Sequence, residues 1–155
     1  MSRRGEEEAP DLCLMLHIQT TIQLPAPPEK VWAVLTDFDS YPRWNPFVTR
    51  AEGDWAVGNT VAITAGGMDF KPKVLAFTPD RELRWKGKLL FNGIFDGEHY
   101  FLLTDNCDGT TELEHGECFT GLLVPAFRKK LETETKAGFE EMNLALLERM
   151  PTRPG

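Results

Sequence analysis

The stretch 14–47, LMLHIQTTIQLPAPPEKVWAVLTDFDSYPRWNPF, decides the fold of this chain. From Leu14 to Leu24 every second position is apolar except Thr20, and polar residues such as His17 alternate with them after Met15. Alternation with a period of two is typical of a strand that is buried on one face. We therefore predict a long half-buried strand over 14–24, with His17 on its wetter face.

A short helix is predicted next, because Pro25, Pro27 and Pro28 end the alternation. Proline followed by Glu29 suits the first turn of a helix, where a missing N–H costs nothing and an acidic group meets the positive end of the dipole. The two prolines in the later segment DFDSYPRWNPF predict a second short helix or a turn. The apolar residues between these signals are spaced like one buried helical face: Val31, Trp32, Leu35 and Phe38.

Strand patterns separated by turn signals fill residues 47–120. The alternation over 61–65 ends at Gly66-Gly67, which is typical of a tight hairpin, and 70–77 is predicted as the returning strand. Further strands are predicted at 83–87, 98–104 and 110–120.

A helical pattern occupies 127–149. This helix is the only large element that can cover the apolar face of about seven antiparallel strands. We therefore predict an α+β fold in which a curved antiparallel sheet wraps the C-terminal helix and leaves an apolar cavity beside it. The predicted inward stripe of the helix is Phe127, Leu131, Thr135, Gly138, Met142, Ala145 and Leu146.

The composition of the chain disfavours several classes of partner and cofactor. The 155 residues include 24 acidic and 17 basic side chains, a net charge of −7, which disfavours nucleic acid and anionic membranes as partners. Three cysteines without metal-ligand spacing predict reduced thiols, no metal and no cofactor. No signal peptide or spanning segment is predicted, so we expect a cytoplasmic protein without integral membrane association. The expected organisation is a polar tail over 1–12, one domain over 13–150 and a tail over 151–155.

Four stretches of the chain resemble one superfamily, in the same order. They are PPEKVWAVLTDFDSYPRWNPF, LRWKG, FDGEHYFLL and TTELEHGECFTGLLVP. They resemble the START-like, pollen-allergen-like helix-grip superfamily, specifically its SRPBCC or polyketide cyclase/dehydrase-like branch, over roughly residues 15–150. The resemblance implies a helix-grip fold with a hydrophobic ligand cavity between sheet and helix. It does not imply one function, since such folds include lipid carriers, hormone receptors, cyclases and chaperone activators.

Two histidines and one carboxylate are the candidate chemical groups. By strand alternation, His99 shares a face with Phe101, whereas His115 and Glu117 share a face with Phe119. Such a cluster could orient a ligand or transfer protons, since burial raises the pKa of a carboxylate and histidine titrates near neutrality. It could equally be a buried polar network that is satisfied internally. A facial metal triad has the right residue types, but nothing else in the chain supports it.

The hairpin between the last two strands sets their pairing. A three-residue loop over 107–109, with Gly109 left-handed, places His99 opposite Glu117 and keeps both apolar sets on one face. A two-residue loop would split those sets between two faces, whereas a five-residue loop would move each partner by two and leave His99 and Glu117 diagonal but within reach. We therefore predict a His99–Glu117 pair facing the cavity, and the pKa of His99 would rise if the carboxylate stays ionised.

The cavity is predicted to be lined from both sheet and helix, with Trp44 and Phe47 near its entrance. Gly138 would keep the helix surface low for a ligand or an aromatic ring, or else sits at a tolerant site. The apolar loop over 89–95 is predicted as a lid, or as a small core packed under the loop. The predicted lining is Phe70, Leu83, Trp85, His99, Phe101, Leu103, Leu113, His115, Glu117, Phe119, Leu131, Thr135, Gly138 and Met142.

Three function classes follow from this interpretation. The first is binding of a small hydrophobic or amphipathic molecule, by a carrier, a sensor or a sequestering protein. The second is a cyclase or dehydratase for a polyketide-like or other carbonyl substrate, with His99, His115 or Glu117 moving protons. The third is a non-catalytic partner protein of the chaperone-activator kind. Neither the ligand nor the oligomeric state follows from the sequence.

Overall fold

A computed structural model of the chain describes residues 14–88 and 95–151. Eight strands form two sheets: a five-stranded antiparallel sheet in the order β1-β8-β7-β6-β5, and a three-stranded sheet in the order β2-β3-β4. The strands are β1 (Met15–Leu24), β2 (Val48–Glu52), β3 (Ala62–Ala65), β4 (Met68–Phe70), β5 (Lys73–Thr78), β6 (Glu82–Lys88), β7 (Asp96–Asp105) and β8 (Thr111–Thr120).

The division into two sheets differs from the single sheet of about seven strands predicted above. The predicted returning strand over 70–77 is split at Pro72, which has no N–H to donate and separates β4 from β5. The Pro72 carbonyl instead accepts a 2.9 Å hydrogen bond from the backbone N–H of Val61. An isolated bridge between Thr60 and Lys73 continues this contact, so the two sheets meet at one corner.

The two short helices after β1 lie where the proline signals place them. Helix α1 (Pro28–Leu35) buries Val31, Trp32 and Leu35 on one face, and Pro28 opens its first turn. A 3₁₀ turn at 38–40 leads into α2 (Tyr41–Trp44). The predicted second short helix or turn is thus confirmed.

The C-terminal helix runs from 124 to 148 and contains one turn of π-helix. Helix α3 (Val124–Lys130) passes through the π turn at 131–135 into α4 (Lys136–Glu148). A π turn inserts one extra residue, so inward positions beyond it are shifted relative to a uniform α-helix. The buried positions after the turn are therefore Phe139, Met142, Asn143 and Leu146. The predicted inward position of Phe127 is wrong, since its side chain is 40% exposed.

The β7–β8 hairpin has the predicted loop and register. The backbone N–H of Asn106 donates to the Thr110 carbonyl at 3.1 Å, and Gly109 has a φ of 86°. His99 lies opposite Glu117, Phe101 opposite His115, and Leu103 opposite Leu113. Both apolar sets therefore face the C-terminal helix, as burial of one sheet face requires.

Two groups of buried side chains form the core, and Phe47 packs against both of them. Phe47 precedes β2, so the turn between α2 and β2 reaches the middle of the interior. Within 14–88 and 95–151, no helix has the length and apolar character needed to cross a membrane.

Candidate functional site

The candidate groups lie on two neighbouring rows that cross the main sheet. In one row, Glu117 of β8, His99 of β7 and Trp85 of β6 are paired in register. In the next row, Thr20 of β1 pairs with His115 of β8. Alternation sends all these side chains to the helix-facing side of the sheet.

A continuous chain of hydrogen bonds joins five side chains across these rows. Glu117 Oε1 lies 3.0 Å from His99 Nδ1, and His99 Nε2 lies 2.7 Å from His115 Nε2. His115 Nδ1 then lies 2.9 Å from Asn143 Oδ1 on α4. Asn143 Nδ2 donates to Thr20 Oγ1 at 2.9 Å, and Thr20 Oγ1 donates to the backbone oxygen of His115 at 2.7 Å. We call these five side chains the polar chain.

Aromatic rings hold both imidazoles in place. Trp85 stacks on His99 with ring centroids 4.7 Å apart and planes 9° apart. His115 lies between Phe101 and Phe139, at centroid distances of 4.3 and 4.4 Å. Both histidines are almost fully buried, at 2% and 0% exposure. The imidazoles therefore have little freedom to turn, which keeps the hydrogen-bond partners of the polar chain fixed.

Burial decides the protonation of these groups. It lowers the pKa of His99 to about 3 and holds the pKa of His115 well below its usual range. It raises the pKa of Glu117 to about 8, although one edge of that side chain stays 16% exposed. The rise in the His99 pKa that would accompany an ionised Glu117 is therefore not found, because loss of solvation outweighs pairing. At neutral pH the polar chain is uncharged.

The three candidate groups are arranged in series rather than around a point. Glu117 contacts Nδ1 of His99 and His115 contacts Nε2, which lie on different sides of the ring. A facial triad needs three donors converging on one position, and this geometry does not provide it. Among the described residues no group of three His, Cys, Asp or Glu is placed to hold a metal ion.

Most of the predicted lining is packed core in this structure. The following residues are less than 10% exposed: Leu83, Trp85, His99, Phe101, Leu103, Leu113, His115, Phe119, Leu131 and Met142. Thr135 and Gly138 are half-buried on the helix, and Phe70 is half-buried on β4 of the small sheet. Apart from Phe95, the predicted lid at 89–95 lies outside the described residues. Phe95 is buried against Phe119 and stacks on Phe127.

A cleft of about 510 Å³ lies between β1 and α4, at the edge of the sheet. None of the predicted lining residues contributes to it. Two members of the polar chain do, so the chain extends from the interior to the wall of this cleft. Its lining is Gln19, Thr20, Thr21, Ile22, Lys136, Glu140, Asn143 and Leu144.

Sequence reasoning missed three residues of the site: Asn143, Phe139 and Thr20. Phe139, Asn143 and Leu146 are spaced by four and three residues, which is the signature of an inward helix face. Thr20 was placed on the inner face of β1, yet its hydroxyl was not linked to His115.

Two glycines make room for the site. A Cβ added at Gly97 would lie 3.1 Å from Glu117 Oε2, so this glycine leaves space for the carboxyl group. A Cβ at Gly138 would lie 2.6 Å from the Phe47 ring. The low helix surface predicted at Gly138 is therefore occupied by an aromatic ring.

We expect Gly138→Ala to destabilise the protein by about 1 kcal/mol, although alanine itself favours a helix by about 1 kcal/mol over glycine. The methyl group must displace the Phe47 ring from its contact with Phe139. Chemical denaturation of both proteins checks this. In a Phe47→Leu background the same substitution should be neutral or stabilising, and an equal loss in both backgrounds would contradict the contact.

The pH dependence of stability should carry the signature of Glu117. Its pKa rises from 4.5 unfolded to about 8 folded, so its stabilisation is complete below about pH 4.5 and is lost as pH rises toward 8. The histidines act oppositely: their folded pKa lies below 6.5, so stability falls as pH drops below that value. Urea unfolding between pH 4 and 9 should show that Glu117→Gln removes the loss on the alkaline side. If the free energy of unfolding depends on pH in the same way in the variant and the wild type, the pKa of Glu117 is not raised in the folded protein.

The comparisons with known proteins place the chain in a family. A family model described as polyketide cyclase / dehydrase and lipid transport matches residues 15–152. The chain belongs to this family. No curated protein matches it.

Several solved structures share the fold of this chain. Protein MLL2253 from Mesorhizobium loti is 23% identical, with a TM-score of 0.69 over 86% of this chain and 95% of that one. A START superfamily protein from Mycobacterium smegmatis is 21% identical, with a TM-score of 0.65 over 86% and 96%. The di-domain ARO/CYC StfQ from the steffimycin biosynthetic pathway is 13% identical, with a TM-score of 0.71 over 88% of this chain and 51% of that one. At these identities the likeness shows the helix-grip fold alone.

Proposed function

We propose that this protein binds a small hydrophobic or amphipathic molecule between the main sheet and the C-terminal helix, with the polar end of the molecule at Glu117. One observation carries the proposal: an uncharged polar chain runs through an aromatic interior and ends at Glu117, whose Oε1 is bonded to His99 and whose side chain stays 16% exposed. An acceptor in apolar surroundings is a place where a ligand can be oriented. The family description, which includes lipid transport, supports this class.

In this proposal the ligand occupies space that opens when the Phe47 ring moves. Its ring is half-buried above Gly138, and its centroid lies 6.4 Å from that of His99. The ring belongs to the turn before β2, so it can swing aside without breaking a strand. The space that it leaves is bordered by Gly138, Phe139 and His99.

Native mass spectrometry and thermal unfolding test the binding. Purified protein should carry or take up an apolar molecule, and 2-naphthol should raise its Tm by mass action. Phe47→Ala should strengthen binding of 2-naphthol, because the space is then already open. Leu144→Ala, which alters the outer cleft instead, should leave the affinity unchanged. Binding that responds to Leu144→Ala and not to Phe47→Ala would refute the interior site.

A second function, acid catalysis on a carbonyl substrate, is favoured by the raised pKa of Glu117. A carboxylic acid that keeps its proton near neutral pH can donate it to a carbonyl or to a departing hydroxyl group, which for Glu117 requires that its bond to His99 opens first. The test is the rate at which the α-hydrogens of 2-tetralone exchange for deuterium in the presence of the protein. An enzyme should lose this activity in Glu117→Gln and still bind the ketone, whereas a carrier should show no rate above that of buffer.

A further inference from the structure

Two backbone oxygens set the hydrogen-bond direction within the polar chain: that of His115, which accepts from Thr20, and that of Phe139, which bonds the His115 imidazole. Thr20 Oγ1 lies 2.7 Å from the backbone oxygen of His115, and a carbonyl only accepts, so the hydroxyl proton points there. Thr20 Oγ1 therefore accepts from Asn143, which must present Nδ2 to it at 2.9 Å. The amide oxygen of Asn143 then faces His115 Nδ1 at 2.9 Å.

In a neutral imidazole one ring nitrogen is an N–H donor and the other is an acceptor, so the role of one nitrogen determines the role of the other. His115 donates Nδ1–H to Asn143, so its Nε2 accepts from the Nε2–H of His99 at 2.7 Å. His99 Nδ1 is then an acceptor, 3.0 Å from Glu117 Oε1. Glu117 must therefore supply the proton of that bond and is held as a neutral acid. The raised pKa of Glu117 is consistent with this form.

The neutral acid leaves one oxygen for a ligand. Glu117 Oε1 is committed to His99, so Oε2 is a carbonyl acceptor beside Gly97. His99 is the titratable group in contact with Glu117, Cys118 follows it on the opposite face, and β1 places Ile18 opposite it. The neutral His99 ring and Gly97, which border the carboxyl group, offer no positive charge to an anion. A ligand hydroxyl can donate to Oε2, whereas a ligand carboxylate would face an acceptor without solvation.

We infer that Thr20 and Asn143 are positioning residues, which hold Glu117 in its acid form, so that the interior site presents an uncharged carbonyl acceptor that binds a ligand hydroxyl in preference to a ligand carboxylate. The selectivity rests on the proposed function. The positioning rests on the geometry of the polar chain alone.

Removal of the Thr20 hydroxyl should weaken the preference for this direction, because the Phe139 backbone oxygen is then the only backbone acceptor that favours it. In Thr20→Val the Asn143 amide can turn over and donate Nδ2–H to His115 Nδ1. Each imidazole then donates in the opposite direction, and His99 donates Nδ1–H to an ionised Glu117. Thr20→Ser keeps the hydroxyl, and Thr21→Val alters the exposed face of the same strand, so both serve as matched controls.

The experiment combines NMR of the protein with binding of two probes. In the wild type, ¹⁵N shifts should show His99 protonated at Nε2 and His115 at Nδ1. In Thr20→Val the ¹³C carboxyl titration midpoint of Glu117 should fall by about one pH unit, equivalent to about 1.4 kcal/mol, and both controls should keep the wild-type midpoint. At pH 7 the wild type should bind 2-naphthol about tenfold more tightly than 2-naphthoate, and Thr20→Val should increase that ratio, because an ionised Glu117 repels the carboxylate of 2-naphthoate.

Each result tests one part of this inference. The opposite tautomers in the wild type, or an unchanged Glu117 midpoint in Thr20→Val, would overturn the positioning role. Equal affinity of the wild type for the two probes would overturn the selectivity. Binding of neither probe would overturn the proposed function and the selectivity together, while the tautomers and midpoints still decide the positioning role.

Discussion

Gly116→Ala should destabilise the protein by about 3 kcal/mol, an overpacking cost in a sheet that has no spare room. A Cβ at this position would lie 2.5 Å from the backbone oxygen of Ile18 and 2.5 Å from the hydroxyl oxygen of Tyr100. Tyr100 could move, but the Ile18 carbonyl cannot move without disturbing the pairing of β1 with β8. Strand β1 also carries Thr20, so the polar chain should be disturbed as well.

Gly87→Ala is the matched control for this substitution. It also lies within a strand, but its Cβ would meet its nearest neighbour, Pro72 Cβ, at 3.5 Å, an ordinary contact. Urea unfolding of the two variants should show a large loss for Gly116→Ala and a change within about 1 kcal/mol for Gly87→Ala. Equal losses would show that close packing at Gly116 is not the cause.

His115→Leu should have a comparable effect, about 3 kcal/mol or more. Leucine still fills the slot between Phe101 and Phe139, but it leaves His99 Nε2 and Asn143 Oδ1 without partners. Each buried polar group that loses its partner costs about 1–3 kcal/mol. The loss should be measured by urea unfolding at pH 7, where the chain is uncharged.

A double-mutant cycle separates this effect from a loss of packing. Asn143→Leu removes one of the two orphaned partners, so the His115→Leu/Asn143→Leu protein should be more stable than the sum of the single losses predicts, by about 1 kcal/mol or more. Thr20 would still have the His115 carbonyl as its acceptor. If the two losses add within about 0.5 kcal/mol, the residues do not act as one chain.

Periodicity and turn chemistry were sufficient for the part of the site on β7 and β8. Burial of one face fixes the parity of the register, and the three-residue loop at 107–109 then places His99 opposite Glu117. Both candidate histidines could therefore be predicted on the inner face. The downward shift of the histidine pKa values could not be predicted, because it depends on how completely the imidazoles are buried. Strand alternation shows only which face of the sheet a side chain lies on.

The contribution of the C-terminal helix was only partly predictable from a regular helical period, which correctly gives Leu131, Met142 and Leu146 as buried positions. The π turn at 131–135 shifts the inward positions beyond it, which buries Phe139 and Asn143 and leaves Gly138 beneath Phe47. Similarly, Pro72 divides one predicted strand into β4 and β5. In both places a local interruption of backbone hydrogen bonding overrides the regular pattern.

The most direct measurement of the interior site is an NMR titration of the wild-type protein with 2-naphthol. The ¹³C carboxyl signal of Glu117 and the ¹⁵N signals of His99 should shift in a saturable manner, because the ligand hydroxyl is bound at Glu117 Oε2. The carboxyl of Glu114, on the outer face of β8, should remain unchanged. Saturable shifts confined to Thr21, Lys136 and Leu144 would place the ligand in the outer cleft and contradict an interior site.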